Sequence, residues 1–219
     1  MTDFKQLVAL HSKSPLLAVH LYNFNFCPAK YIHATRQAEF DGGKLSCNVW
    51  QTDRAHPMLS AHVLRLLGIE NDYCLDPTYV EWPLLLLSQN RLERIKRHVA
   101  AVIFNPLIRR SIVSADVIKW KHRLGSDAYK FALTGTTLLP RLDYFPHFDD
   151  ESQFDSLCTG WLEAAMATAA QPLKLRAMLK LPLNSILPHV ETVSARRLVY
   201  ALISILEPEW RSLFSAIRK

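Results

Sequence analysis

Apolar residues recur along this chain at helical spacing, and the breaks between the runs carry Pro and small polar residues more often than Gly. After Pro57, the residues Leu59, Val63, Leu66 and Leu67 share a face, and Gly68 stands where a C-terminal cap is expected. From 91 to 104, Leu92, Ile95, Val99, Val102 and Ile103 fall on one side and Arg91, Arg94 and Arg97 mostly on the other, which is an amphipathic helix. Asn105-Pro106 then starts another: Asn accepts a backbone N–H, and Pro has none to lose in a first turn. Ser114 repeats the signal before Val117, Trp120 and Leu124, and Ser126 does so before Tyr129, Ala132 and Leu133. In 152–170, Phe154, Leu157, Cys158, Trp161, Leu162, Ala165 and Met166 recur at helical spacing. Pro172 starts a helix that Pro182 ends, Leu198, Val199, Leu202, Ile205 and Leu206 form a further stripe, and Pro208 opens a last short helix.

Strand alternation is scarce. The stretch from Lys44 to Gln51, after Gly42-Gly43, reads as an arm of a short β-hairpin. The pattern predicts a mainly α protein. It is expected to be a single compact multi-helix domain over 1–219, with that hairpin near 44–51 as the candidate β element. The acidic, aromatic loop 140–151 is the expected place for a subdomain seam. A chain of 219 residues buries enough surface to fold without a disulfide or a metal.

Much chemistry is excluded at once. Gly is only 6 of 219, and no phosphate loop of the Gly-x-x-x-x-Gly-Lys-Ser/Thr kind, no GxGxxG and no GxSxG is present. His189-x-Glu191 is half of a zinc deaminase signature, but no Pro-Cys-x-x-Cys follows. Cys27, Cys47, Cys74 and Cys158 are widely spaced and read as reduced structural thiols. His56 and His62 stand six apart, a spacing that does not stack two ligands on one helical face. A hydrolase using His147 with Asp149 or Asp150 rests on proximity in sequence alone. No secretory signal is read before the fold, and the longest aliphatic and aromatic run, Val99 to Phe104, is too short to span a bilayer. A cytosolic protein with no cofactor and no metal is expected.

Charge is unevenly placed. The net is +6, but residues 91–123 hold nine Lys and Arg against Glu93 and Asp116, a net of +7. Residues 140–165 hold Arg141 against Asp143, Asp149, Asp150, Glu151, Asp155 and Glu163, a net of −5. Two unlike surfaces follow: Arg109, Arg110, Lys119, Lys121 and Arg123 as one candidate partner-binding set, and Asp149, Asp150 and Glu151 as another. The basic run, which includes Arg91, Arg94 and Arg97, also admits an alternative, a helical nucleic-acid-binding protein, although no base-reading pattern accompanies it.

The most specific segment is Phe26-Cys27-Pro28-Ala29-Lys30-Tyr31-Ile32-His33. Its pattern, Phe-x-Pro-x-x-Tyr-Ile/Leu-His, resembles the N-terminal signature of the SctK family (the YscK, PscK and OrgA type) of type III secretion sorting-platform accessory proteins. The basic helix with its continuation, Leu92 to Ile112, and Trp161-Leu162-Glu163-Ala164-Ala165-Met166 with Leu175 to Leu181-Pro182, are similar as well. The resemblance implies a helical, non-enzymatic cytoplasmic adaptor at the base of the injectisome, needed for protein secretion and hence virulence. Its implied partners are the cytoplasmic forkhead-associated-like domain of the inner-membrane ring protein SctD and the pod protein SctQ, and through SctQ the stator SctL and the ATPase SctN. No cofactor, nucleic acid or membrane insertion is implied. The motif residues Phe26, Pro28, Tyr31, Ile32 and His33 read as structural, with Tyr31 and Ile32 committed to packing. Each partner contact is also expected to need a buried apolar anchor beside its charges.

Overall fold

The helical punctuation is carried into three dimensions. The structure, a computed structural model, describes residues 2–43, 45, 47–134, 151–183 and 190–217. Among them no strand occurs. In chain order the helices are α1 (Thr2–Lys13), α2 (Pro15–Phe26), α3 (Gln37–Asp41), α4 (Cys47–Trp50), α5 (His56–Leu66), α6 (Trp82–Leu85), α7 (Gln89–Ile103), α8 (Asn105–Arg110), α9 (Ser114–Thr134), α10 (Glu151–Met166), α11 (Gln171–Met178), α12 (Thr192–Leu206) and α13 (Pro208–Ile217). Pro15, Pro57, Pro83, Pro106 and Pro172 each sit in a first helical turn, where the missing N–H removes no intrahelical bond.

The hairpin expected near 44–51 is corrected: Cys47–Trp50 is a helical turn. Val49 and Trp50 both pack on the cluster of Phe40, Leu59 and Val63. Adjacent residues of a strand point to opposite faces, so a strand could not deliver both. The Trp50 indole N–H donates to Asp41 Oδ2 at 2.7 Å, which fixes the turn. Residues 140–150 of the expected seam lie outside the described residues, and Glu151 opens α10.

The chain alternates between two compact units. The first is built from 1–89, 168–183 and 209–219. Its core takes Leu17, Leu21 and Phe24 from α2, the run Trp82 to Leu87, Leu173, Ala177 and Leu179 from α11 and its end, and Trp210 and Phe214 from α13. Trp82 is edge-on to Phe24 at 5.5 Å between ring centres, and the Trp210 indole N–H donates to the Pro83 carbonyl at 2.8 Å.

The second unit holds 90–167 and 184–208. Here α7 buries Leu92, Ile95 and the run His98 to Ile103, while α10 and α12 pack through Leu157, Trp161, Leu162, Leu198 and Leu202. The two starts expected at Ser114 and Ser126 are both present, because α9 breaks at Gly125 with φ 76° and ψ 161°. That conformation is open only to Gly. Three residues expected on packed stripes face outward: Leu66 at 56%, Ile205 at 42% and Leu133 at 41% exposure. In α5 the buried row is Leu59, Ser60, Val63 and Leu64.

Candidate functional site

The signature segment follows α2 as two short 3-10 turns, Pro28–Lys30 and Ala34–Arg36. Such irregular backbone leaves donors and acceptors that helices would satisfy internally, and the first unit supplies partners for them. The Tyr31 hydroxyl donates to the Phe24 carbonyl at 2.6 Å, and its ring stacks on Phe24 with a 13° interplanar angle. Burial pushes the Tyr31 phenol well above its usual range. Gln89 donates to the Tyr31 carbonyl at 2.8 Å, and the Ala29 N–H donates to Ser60 Oγ at 3.2 Å. The His33 N–H reaches the Leu179 carbonyl at 2.7 Å, and Arg36 Nε the Leu181 carbonyl at 2.8 Å. Pro28, Ala29 and Ile32 are buried. Ile32 and Ala29 join Phe40, Trp50, Leu59, Val63 and Leu179 in one apolar cluster. Phe26, at the end of α2, meets Tyr22 and Tyr73 at 5.3 and 5.2 Å between ring centres.

Two buried cations complete this arrangement, and both donate to backbone carbonyls. Arg176 has no exposed surface; it donates to the carbonyls of Asn25 (3.1 Å), Asp72 (2.6 Å), Pro172 (3.2 Å) and Ile69 (2.8 Å). Its planar fork suits several acceptors held at fixed angles. Asn25, also fully buried, receives the Cys74 N–H and donates to the Cys74 carbonyl at 3.1 and 2.8 Å. Lys180 Nζ donates to the carbonyls of Leu85 and Leu87 at 2.6 and 2.9 Å, which lie at and beyond the end of α6. It also sits 4.8 Å from the Phe24 ring centre and 5.1 Å from that of Tyr31. Burial lowers the Lys180 ammonium to about 7. Sequence reading missed Asn25, Arg176 and Lys180, since a polar residue among apolar ones gives no sign of which distant carbonyl it meets.

The basic run divides into two sets. On α7 the cations are largely neutralised within the second unit. Arg97 meets Glu93 at 3.2 Å, Lys96 meets Glu93 and Asp155 at 2.8 and 3.4 Å, Arg94 meets Asp127 and Glu207 at 3.1 and 3.4 Å, and Arg91 meets Glu207 at 3.2 Å. The candidate set lies on α8 and α9. Arg109 donates to the Ala132 and Leu133 carbonyls at 3.5 and 2.9 Å and so closes the end of α9. Arg123 lies over the Phe154 ring at 5.6 Å and Lys121 over the Tyr129 ring at 5.5 Å. Arg110 and Lys119 are exposed. Between them stand Ile112, Val113 and Ile118 at 92%, 62% and 66% exposure. These aliphatics were missed, because helical patterning places such residues inside.

Of the acidic set, Asp149 and Asp150 lie outside the described residues, as does His147, and Glu151 is the first residue of α10. No cluster of metal-ligating side chains occurs among the described residues. Burial raises both the Cys27 and Cys158 thiols, which disfavours the reactive thiolate. No helix among the described residues is long and apolar enough to cross a membrane. A groove of about 260 Å³ lined by Leu7, Val8, His11, Ala18, Val19 and Tyr22 runs along α1 and α2 and carries no convergent ionisable groups beyond His11.

No curated protein and no solved structure matches the chain. The family model described as YOP proteins translocation protein K (YscK) matches residues 18–213, a span that holds the whole signature segment, both buried cations and the α8–α9 corner. The chain therefore belongs to the YscK family, the SctK family of type III secretion, and is a type III secretion protein.

Proposed function

We propose that this protein is a non-enzymatic adaptor of the injectisome sorting platform. It links the cytoplasmic forkhead-associated-like domain of the ring protein SctD to the pod protein SctQ, and through SctQ to the stator SctL and the ATPase SctN. It works on the cytoplasmic side of the inner membrane, at the base of the apparatus. The observation that carries this reading is the family match across 18–213. The polar side chains gathered around Tyr31 support it, because Gln89, Arg176 and Lys180 bond backbone carbonyls of their own unit and hold a shape. A bracket between two proteins needs stiffness and outward-facing contacts, and rigid display lowers the ordering cost of docking.

The nucleic-acid alternative is weaker on this geometry. Arg91, Arg94, Lys96 and Arg97 already hold carboxylates, so the phosphate-facing charge of the run is much reduced. Titration of the purified chain against the purified SctD cytoplasmic domain and purified SctQ tests the adaptor reading. Saturable binding to each is expected, and binding to neither overturns it. A mobility-shift series with duplex DNA is expected to show no complex at low salt.

A further inference from the structure

The corner between α8 and α9 shows large aliphatic side chains to solvent at a place where the backbone is firmly held. Ile112 and Val113 form the link between the two helices, and Ile118 stands one turn into α9. Beside them the Trp120 indole N–H donates to Ser111 Oγ at 3.1 Å, and the Phe104, Trp120 and Phe154 rings form a triangle, with Phe104 5.8 Å from Trp120 and 5.1 Å from Phe154 and the last two 6.3 Å apart. Asn105 and Arg109 tie α8 to the carbonyls at the end of α9. The exposure therefore belongs to a braced corner. Arg110 and Lys119 flank the aliphatics, and among the described residues no carboxylate pairs with either.

We propose that this corner, with Ile112, Val113 and Ile118 as the apolar anchor and Arg110 and Lys119 as its rim, docks an acidic face of a protein partner. The inference rests on the adaptor reading and gives one of its two contacts a place and a chemistry. Charge complementarity selects the sign of the partner: two unneutralised cations favour carboxylates around an apolar cleft. A protein suits the corner better than a nucleic acid, since three aliphatics would sit against phosphates and sugars with nothing to bury them. A braced corner also suits a partner with a fixed cleft, whereas a fluid lipid surface makes no use of fixed shape. The division of labour follows from physics: the rim steers encounter, and the anchor sets how long the complex lasts.

The test uses the full chain, purified SctQ and the purified SctD cytoplasmic domain, with kinetics read by surface-immobilised binding over a salt series. Two variants are compared, R110E/K119E and I112S/V113S, each checked for an unchanged far-ultraviolet circular dichroism spectrum. Both are expected to weaken binding to the same one partner by at least about tenfold, leaving the other within about twofold. R110E/K119E should act mainly on the association rate and flatten its salt dependence. I112S/V113S should act mainly on dissociation. If the wild-type chain binds both partners and either variant leaves both affinities unchanged, the corner is not the contact and the adaptor reading stands. If the wild-type chain binds neither, both readings fall. Co-sedimentation with vesicles of phosphatidylethanolamine and phosphatidylglycerol supplies the last arm: vesicle binding lost in both variants, with protein affinities intact, assigns the corner to lipid and overturns the proposal.

Discussion

Replacing Arg176 by Met keeps most of the side-chain volume and removes every donor. Three of the four carbonyls that Arg176 satisfies, those of Asn25, Ile69 and Asp72, come from outside α11 and lose its N–H groups together, although Ile69 keeps the Asp72 N–H at 3.2 Å and Asp72 itself is exposed. The fourth, of Pro172, lies on α11 itself. A buried carbonyl left without a donor costs about 1–3 kcal/mol, a cost that falls in full on the buried Asn25 carbonyl and only in part on the other two. Against this, a guanidinium no longer has to be stripped of water, a relief of several kcal/mol. The desolvation already spent in the native protein is what makes the comparison close, but the Asn25 carbonyl tips it, because it remains buried whatever side chain replaces the Arg. A net loss of about 1–3 kcal/mol is expected, the cost of one buried carbonyl left without a donor. Urea melts followed by circular dichroism measure it, read as a shift in midpoint at constant slope. Arg176→Lys should fall between, since a single nitrogen cannot copy the fork that reaches Asn25 from Nε and Ile69 from Nη2. A midpoint for Arg176→Met within about 1 kcal/mol of wild type would show that the three carbonyls are rehydrated or re-paired, and that this arginine is not the fastener described.

Four further outcomes are expected. Stability should rise with pH between about 7, the depressed folded-state value of Lys180, and about 9, because in that window the unfolded chain holds that proton while the folded chain releases it. The slope should reach at most about 1.4 kcal/mol per pH unit and vanish in Lys180→Met; above about 9 the raised Cys27 and Cys158 thiols oppose it, and above about 10 the raised Tyr31 phenol as well. Tyr31→Ala should cost about 3 kcal/mol and Tyr31→Phe about 1 kcal/mol, the second reporting only the bond to Phe24, and thermal melts of the pair separate the two terms. Gly125→Ala should destabilise by about 1–2 kcal/mol through its φ of 76°, and amide exchange in α9 should rise with it. Arg109→Ala should lower stability by about 1 kcal/mol by uncapping α9, whereas Lys119→Ala should leave the melt unchanged.

The helical frame was legible because its signals are local. Pro57, Asn105-Pro106, Ser114 and Pro208 act on their own turns, and Ser126 marked the second half of α9 although the break itself belongs to Gly125. The Phe26–His33 segment was legible as a packing commitment, and Tyr31, Ile32 and Pro28 are placed accordingly. Its fasteners were not, because they act across the chain: Asn25 meets Cys74 at a separation of 49 residues and Arg176 meets Asn25 at 151. The helical turn at Cys47–Trp50 was hidden for the same reason, since the Phe40–Leu59–Val63 cluster that recruits both Val49 and Trp50 is assembled from separate stretches. Ile112 and Val113 escaped notice because binary patterning counts an aliphatic as an inward residue by default.

The first compact unit is assembled from three separated pieces of chain, the last two beginning at 168 and 209. On the ribosome this has a cost in time. Residues up to 89 emerge well before Leu173, Arg176 and Leu179, and at about 5–20 residues per second the delay is several seconds. Throughout it Phe24, Leu21 and Trp82 await the neighbours that cover them, and the carbonyls of Asn25 and Ile69 await their donor. The newborn polypeptide is thus sticky until the pieces that begin at 168 and 209 have emerged, so its yield in the cell should depend on chaperone supply, and a premature stop before Trp210 should compromise the amino-terminal helices as much as the segment it removes.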